Sequence, residues 1–257
     1  MLHYERHGSG SPIVLIHGFP NNLRNWDLVY PLLATNNEVI TIDLPGAGSS
    51  AALESYTLEN MASKVIETIQ GLRLTKVHLV GHSMGGYLSL EILKMCPDII
   101  GAVTLVHAKA SRDTDDVIEL RKRSITLMEK GDAGRLAFIK AMARNLYQKK
   151  FGNDNPIFIE KIIENGMALD PHVLIGFYTA IMNRSDKMAI VPTLNVPIQY
   201  ILGDEDTATV LEDVQPEFAL KNVTEVTIYH QSGHMAMYED PEQLSKDILR
   251  FHQFINK

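Results

Sequence analysis

Residues 81–85 combine a potential nucleophile with the local structure that would expose it. They read Gly-His-Ser-Met-Gly and lie between the apolar run 77–80, which is typical of a buried strand, and the helix-like segment 86–95. A Gly-x-Ser-x-Gly motif at a strand-to-helix turn is a nucleophile elbow, in which a sharp turn exposes the serine hydroxyl. The first amides of the helix then face that oxygen with partial positive charge. We therefore predict that Ser83 is a nucleophile rather than an ordinary serine at a glycine-rich helix start.

A serine nucleophile needs a base that takes its proton, and five histidines follow Ser83 in the chain. His234 is favoured because it lies in a turn just after the apolar run 226–230. Loops at the carboxyl ends of parallel strands meet at one rim of the sheet, where open α/β sheets place their sites. His230 is expected to be structural, and His252, in the last helix, is expected to lie at the surface. The remaining two are His107 and His172.

The base needs an acid that orients it, and the loop after the apolar run 198–202 offers three carboxylates. Position alone does not choose among them. The loop after the earlier run 102–106 has no carboxylate until Asp113, so we discount an acid from that loop. The three candidates are Asp204, Glu205 and Asp206.

Acyl transfer also needs amide N–H groups that bind the oxyanion of the tetrahedral intermediate. The amide of Met84, directly after the nucleophile, is one predicted donor. The amide of Phe19 is the other, because Gly18 permits a close backbone approach and Pro20 has no N–H. His17, in the same loop, is expected to be a structural residue that ties loops together by hydrogen bonds.

Short β-branched runs alternate with helical patterns and would position these residues. Continuous apolar strands separated by helices imply a mostly parallel sheet with helices on both faces. Residues 2–6 and the next strand are joined by a Gly-Ser-Gly-Ser-Pro segment, which suits an antiparallel hairpin at one edge of the sheet. The four runs in the first half of the chain are 13–16, 39–42, 77–80 and 102–106.

Strand-like runs vanish between residues 111 and 191, where several helical patterns follow one another. Strands resume at 197–202 and near 226–228, and a last helix opens at Asp240. We therefore predict an α/β core domain formed by residues 1–110 and 192–257, with an inserted helical cap at 111–191.

Composition limits the partners of this chain of 257 residues. Its formal net charge of −7 and its lack of a basic cluster argue against binding to nucleic acid. A single cysteine, Cys96, rules out a disulfide within the chain. The first residues do not form a signal-peptide pattern, and no apolar stretch approaches membrane-spanning length. We expect a cytoplasmic protein with a small-molecule substrate and no membrane partner, and the sequence does not indicate its oligomeric state.

The chain resembles the α/β-hydrolase superfamily, through motifs that occur in the family's order over nearly the whole length. The resemblance implies the α/β-hydrolase fold with a helical cap, and its Gly-x-x-Asp pattern after the penultimate strand selects Asp206 as the acid. Members usually begin with one more edge strand, so the sheet is expected to be one strand short. Relatives with a similar His-Gly-Phe-Pro loop, the haloalkane dehalogenases and epoxide hydrolases, use an aspartate nucleophile, so Ser83 argues against both activities. The motifs are at 17–20, 43–50, 81–86, 203–206 and 233–234.

The leading hypothesis is a serine hydrolase of small to medium carboxylic esters or lactones, with a triad of Ser83, His234 and Asp206 and an acyl-enzyme intermediate. This chemistry needs no metal and no organic cofactor. The same machinery supports cleavage of C–C bonds in diketones and peracid formation, so both remain alternatives. The resemblance extends to small-molecule receptors that keep the triad but turn over slowly, which is a further alternative.

The substrate pocket is predicted only in outline, with the cap as its roof. Met84 and Met235 flank catalytic positions, and flexible thioethers suit an adaptable apolar pocket, so both are expected near the site. Lys109 and Arg112, just after a sheet strand, are candidates for binding a substrate carboxylate.

Overall fold

The computed structural model describes residues 1–256 and contains one sheet of seven strands. The strands are β1 (Tyr4–Gly8), β2 (Ser11–Ile16), β3 (Asn37–Ile42), β4 (Val77–His82), β5 (Ile100–Val106), β6 (Ile198–Gly203) and β7 (Val223–Tyr229). Their order across the sheet is β1-β3-β2-β4-β5-β6-β7. Every neighbouring pair is parallel except β1 with β3.

Eleven α-helices connect or follow these strands within residues 1–256. The helices are α1 (Tyr30–Leu33), α2 (Leu58–Gly71), α3 (Met84–Met95), α4 (Asp115–Met128), α5 (Asp132–Asn145), α6 (Lys149–Asp154), α7 (Pro156–Ala168), α8 (Pro171–Met182), α9 (Leu211–Val214), α10 (Ala236–Glu239) and α11 (Pro241–Ile255). Short 3₁₀ turns occupy Leu23–Trp26, Pro97–Ile99, Val191–Thr193 and Gln215–Ala219. None of the helices in this part of the chain is both long and apolar enough to cross a membrane.

Helices cover both faces of the sheet, because alternate residues of the central strands point to opposite sides. Val14 and Ile16 of β2 lie in a buried cluster with α2 and α3. Ile13 and Leu15 lie in a second buried cluster with α1 and α11. The predicted fold class, a mostly parallel sheet between two layers of helices, is confirmed.

The predicted hairpin between the first two strands is wrong. β1 pairs with β3, with Tyr4 opposite Ile42, and it does not touch β2 in the sheet. β2 is parallel to β3 on one side and to β4 on the other, so both of its edges are already paired. The edge of β3 is the one left for β1. The glycine-rich link passes close to the chain before β3, where a Cβ at Gly8 would collide with Ala34 O and Asn37 O.

The five helices α4 to α8 lie between β5 and β6 in the chain, where the sequence predicts the inserted helical block. α4 packs against α5 and α8, and α5 packs against α7. Contacts with the rest of the protein include a hydrogen bond of 2.7 Å from His234 N to Leu146 O and one of 3.0 Å from Asn165 Nδ2 to Asn21 Oδ1. These helices therefore lie over the loops at the carboxyl ends of the strands. The exact bounds of a cap at 111–191 stay a prediction.

His252 is buried, in contrast to its expected surface position. It lies in α11 with 3% of its surface exposed, and its ring stacks on that of His78 in β4. α11 carries its apolar residues on one face, and His252 falls on that face, because it follows Leu244 and Ile248 at helical spacing.

Candidate active site

Ser83 lies at the turn between β4 and α3 in a strained backbone conformation. Its φ is 51° and its ψ is −115°, a region that residues with a side chain rarely adopt. The turn depends on close approaches that only glycine allows: a Cβ at Gly81 would collide with Gly85 O, and a Cβ at Gly85 would collide with Ile16 O. This is the geometry expected of a nucleophile elbow.

His234 and Asp206 are joined by a short hydrogen bond. His234 Nδ1 donates to Asp206 Oδ2 over 2.7 Å, and both side chains are buried. The other carboxylate oxygen, Oδ1, accepts from the amides of Ala208 at 2.8 Å and Thr209 at 2.9 Å. The loop after β6 therefore wraps around a carboxylate that has a donor at each oxygen.

The second aspartate of this loop has different partners. Asp204 accepts from the ring of His230 at 2.9 Å and from the amide of Gln231 at 2.8 Å. The side chain of His230 is largely exposed. The geometry thus pairs Asp206, and not Asp204, with His234.

A second histidine, His107, binds the same oxygen of Asp206. Its Nδ1 lies 3.0 Å from Asp206 Oδ2, and the side chain is fully buried. His107 follows β5 directly, and two further bonds fix it: its amide donates to Ile201 O at 2.8 Å, and its carbonyl accepts from Thr209 Oγ1 at 2.9 Å. Sequence reasoning considered His107 only as a rival base. The sequence signal that could have identified His107 as a partner of Asp206 was its position directly after β5, the strand beside β6.

Asp206 is held as a carboxylate. Burial on its own would raise the pKa of Asp206, but the neighbouring imidazoles of His234 and His107 and their hydrogen bonds outweigh burial, and the pKa lies well below its usual value. Because Oδ2 faces the Nδ1 atoms of both rings, each neutral ring carries its proton on Nδ1. Nε2 of His234 is then the nitrogen that can accept a proton.

Ser83 and His234 line one cavity of about 290 Å³. No hydrogen bond joins Ser83 Oγ to the His234 ring within residues 1–256. Catalytic hydrogen bonds are often long or poorly aligned without substrate and tighten when it binds. The arrangement is therefore compatible with a serine and base that act together.

The loop before Phe19 is fixed by His17, as expected. His17 Nδ1 donates to Gly18 O at 2.9 Å, and its Nε2 accepts from the amide of Leu44 at 3.0 Å. Burial lowers the pKa of His17 to about 4, which keeps the ring neutral and able to accept that hydrogen bond. The His-Gly-Phe-Pro loop is thereby tied to the loop after β3.

One predicted oxyanion donor belongs to a residue that lines this cavity, and the other belongs to the residue after the cavity-lining Ser83. Phe19 is among its lining residues, and Met84 follows Ser83 as the first residue of α3. Neither backbone N–H donates a hydrogen bond to another group in the described chain. Both amides are therefore available to a ligand.

The structure places the predicted methionines outside the cavity. Met235 is fully buried in the cluster that contains α11, and the Met84 side chain is fully buried in the opposite cluster. Met142 of α5 supplies the thioether in the cavity wall, which no sequence signal singled out. Lys109 lines the cavity, whereas Arg112 is exposed and binds Asp115.

The ligand atoms of His107, Asp206 and His234 lie within 4.8 Å of one another, close enough to hold a metal ion. A metal bound there would have to displace the Nδ1 protons from both rings, since these nitrogens already face Asp206 Oδ2. The donor set fits the hydrogen-bonded arrangement better than it fits a metal.

The chain belongs to the alpha/beta hydrolase family, whose model matches residues 13–247. It is similar to the uncharacterized hydrolase YugF of Bacillus subtilis, with 35% identity over 258 residues that cover 97% of this chain and 92% of that protein. These matches place the protein among the hydrolases of this family.

Other relatives have named activities. The pimeloyl-[acyl-carrier protein] methyl ester esterase of Methylococcus capsulatus is 27% identical over 216 residues, 82% of each chain. A thermophilic esterase from Thermogutta terrifontis superposes on 100% of this chain and 94% of its own, with a TM-score of 0.91 and 25% identity. Over 98 residues, or 38% of its length, the chain is 41% identical to the dihydrolipoyllysine-residue acetyltransferase component of the acetoin cleaving system of Pseudomonas putida. That match covers 26% of the acetyltransferase component.

Proposed function

We propose that the protein hydrolyses small to medium carboxylic esters or lactones through an acyl-enzyme intermediate on Ser83. The observation that carries this proposal is the 2.7 Å bond between His234 Nδ1 and Asp206 Oδ2, because it orients the imidazole beside the cavity that Ser83 lines. The names of two relatives, both esterases, support an ester as the substrate.

In the proposed reaction, His234 Nε2 takes the hydroxyl proton of Ser83 as the serine oxygen attacks the ester carbonyl carbon. The amides of Phe19 and Met84 donate to the oxyanion that forms. The imidazolium, stabilised by Asp206, gives its proton to the leaving alkoxide, and the alcohol departs. Water then attacks the acyl-enzyme, with His234 as the base, which releases the carboxylic acid and restores the serine hydroxyl.

The cavity supports a substrate of limited size. Its volume of about 290 Å³ and its apolar wall suit a short acyl or alcohol chain. The apolar and aromatic wall residues that come from helices α4, α5 and α8 are Val117, Leu120, Met142, Tyr178 and Ile181.

The test is the initial rate of hydrolysis for p-nitrophenyl esters of increasing acyl length, measured in parallel for the wild type and for Ser83→Ala. We expect many turnovers per protein molecule in the wild type and none above background in Ser83→Ala. Labelling by a fluorophosphonate should likewise depend on Ser83. Equal rates in the two proteins across the series would contradict the proposal. A single stoichiometric burst would instead support a slow receptor of the same fold.

A further inference from the structure

Two cationic side chains line the cavity that contains Ser83. They are Lys109, in the loop after β5, and Arg121 of α4. Cations are uncommon in a largely apolar pocket, because removing a charge from water is costly unless it is paired. Each of these two cations is therefore expected to have an anionic partner.

Arg121 is held firmly at the wall of this cavity. Its Nε donates to Asp113 Oδ2 at 2.7 Å, and its guanidinium carbon lies 5.1 Å from the centre of the Tyr178 ring. Only 17% of the Arg121 side chain is exposed. The guanidinium is thus fixed in one orientation before a substrate binds.

The carboxylate that holds Arg121 is shared with a second arginine. Arg184 donates from Nη1 to Asp113 Oδ2 and from Nη2 to Asp113 Oδ1, each at 2.7 Å. Burial would raise the pKa of Asp113, but Arg184 and Arg121 outweigh burial and lower it, so the carboxylate stays charged. The Asp113 carboxylate therefore binds two guanidinium groups. It accepts a hydrogen bond from Nε of Arg121 but none from the terminal nitrogens of Arg121.

The terminal nitrogens of Arg121, Nη1 and Nη2, donate no hydrogen bond to any group in residues 1–256. Their four N–H groups belong to a half-buried side chain at a cavity wall. A guanidinium fork of this kind matches the two oxygens of a carboxylate.

The other charged groups around the cavity already have partners. Lys109 Nζ lies 3.2 Å from Asp213 Oδ2, and Asp213 is half exposed, so solvent weakens that pair. Behind Arg184, Glu217 accepts from the amides of Ala110 and Ser111 and from the hydroxyl of Tyr200. Neither Asp213 nor Glu217 accepts a hydrogen bond from Nη1 or Nη2 of Arg121.

We propose that Arg121 binds a carboxylate on the substrate, so that the preferred substrates are esters with a second, ionised carboxyl group, such as monoalkyl esters of short dicarboxylic acids. Lys109 provides a second positive charge in the same cavity. This inference rests on the proposed ester hydrolysis and names the class of ester.

The test compares each monoalkyl ester of a dicarboxylic acid with its dialkyl ester, which has the same chain but no charge. The readout is the ratio of kcat/KM for the charged ester to that for the neutral ester. In Arg121→Met, which keeps the bulk beside Tyr178, this ratio should fall about tenfold or more, and in Arg121→Lys it should fall less. Arg112→Met is the matched control, because Arg112 lies outside the cavity, and its ratio should equal that of the wild type.

An unchanged ratio in Arg121→Met, with the variant folded by thermal melting, would overturn the inference. A wild-type preference for the dialkyl ester would do the same. A second measurement, the binding of glutarate to Ser83→Ala by calorimetry, does not depend on turnover. Glutarate binding that is lost in Ser83→Ala/Arg121→Met would support the carboxylate site even if no ester were hydrolysed, and only the proposed hydrolysis would then fail. If glutarate does not bind to Ser83→Ala, the proposed carboxylate site is contradicted.

Discussion

Two groups of buried histidines lie at different depths of the same sheet, and they differ in one partner. At the carboxyl ends of the strands, His107 and His234 both donate to the carboxylate of Asp206. Further down, His78 of β4 and His252 of α11 stack on each other with ring centres 5.3 Å apart, and no carboxylate of residues 1–256 binds either ring. The comparison separates what burial does to an imidazole from what a carboxylate does.

The deeper pair has one consistent set of proton positions. Thr104 Oγ1 donates to Gln199 Oε1 at 2.8 Å, so at 2.7 Å it must accept from His78 Nε2. Nδ1 of His78 is then unprotonated and accepts from Nδ1 of His252 at 3.1 Å. Both rings are neutral, and a second proton on His78 would set two N–H groups against each other.

Burial lowers the pKa of both rings in this pair, that of His252 to about 4 and that of His78 well below its usual value, where the nearby His252 adds to the effect. Such imidazoles cannot gain a proton at neutral pH and serve as hydrogen-bonding core residues. At the rim, in the proposed reaction, Asp206 stabilises the imidazolium that forms when His234 takes a proton from Ser83. In that reaction the carboxylate, more than burial, distinguishes the base from the deeper packing residues.

The largest predicted effect comes from removing the proposed base, His234, at the rim. His234→Ala should lower kcat/KM for the best p-nitrophenyl ester by about a thousandfold or more, because the serine then has no proton acceptor. His230→Ala, four residues away on the surface, is the control and should stay near the wild-type rate. Near-normal turnover in His234→Ala would contradict the triad.

The next largest effect comes from neutralising the carboxylate. Asp206→Asn should cost about a thousandfold in kcat, since an amide cannot hold the Nδ1–H tautomer or stabilise the imidazolium. Asp204→Asn removes a neighbouring carboxylate that binds His230 and should have little effect. A greater loss of kcat in Asp204→Asn than in Asp206→Asn would show that the acid is assigned to the wrong residue.

Sequence reasoning identified candidate site residues that lie in local motifs, and their catalytic roles stay predictions. Ser83 lies in a pentapeptide whose glycines allow the close approaches at the turn, and His234 lies in the loop just after β7. Asp206 could be separated from Asp204 only through the family pattern, because both lie in one loop. Their separation in space depends on the turn that gives Asp204 the His230 ring and the amide of Gln231.

The features that were missed depend on which elements become neighbours. His107 reaches Asp206 because β5 and β6 are adjacent, although the two residues are 99 positions apart. The pairing of β1 follows from both edges of β2 being occupied. No periodicity in a single segment carries information about either of these two pairings. The burial of His252 is different, because its helical spacing from Leu244 and Ile248 already places it on the apolar face of α11.

A smaller effect should come from His107, the second donor to Asp206. His107→Phe should lower kcat/KM about tenfold, because the carboxylate of Asp206 loses one of the two imidazole donors that position it. His107→Asn, whose Nδ2 can take the place of Nδ1, should restore much of the rate. A loss of stability with no change in kcat/KM would indicate a purely structural residue.

The smallest effect should be seen in the deeper pair, and it concerns stability rather than rate. Because the pKa of His252 is lowered to about 4 in the folded protein but is about 6.5 when the chain unfolds, the unfolded chain binds more protons between these values. The contribution of neutral His252 to the free energy of unfolding is therefore fully present above the pKa of His252 in the unfolded chain, and it is lost as the pH falls below that value. From pH 7 to pH 5, we expect His252 to account for about 1–2 kcal/mol of the decrease in the free energy of unfolding.

His252→Asn sharpens this test, since its Nδ2 can still donate to His78 but no longer titrates. Urea unfolding at pH 7 and at pH 5 should show a smaller decrease in the free energy of unfolding for His252→Asn than for the wild type. Ester hydrolysis at pH 7 should be the same in the two proteins, because His252 lies away from the cavity of Ser83. Identical pH dependence of stability would mean that His252 binds a proton equally well in the folded chain. In that case burial alone would not make an imidazole inert, and the contrast between the two histidine groups would fail.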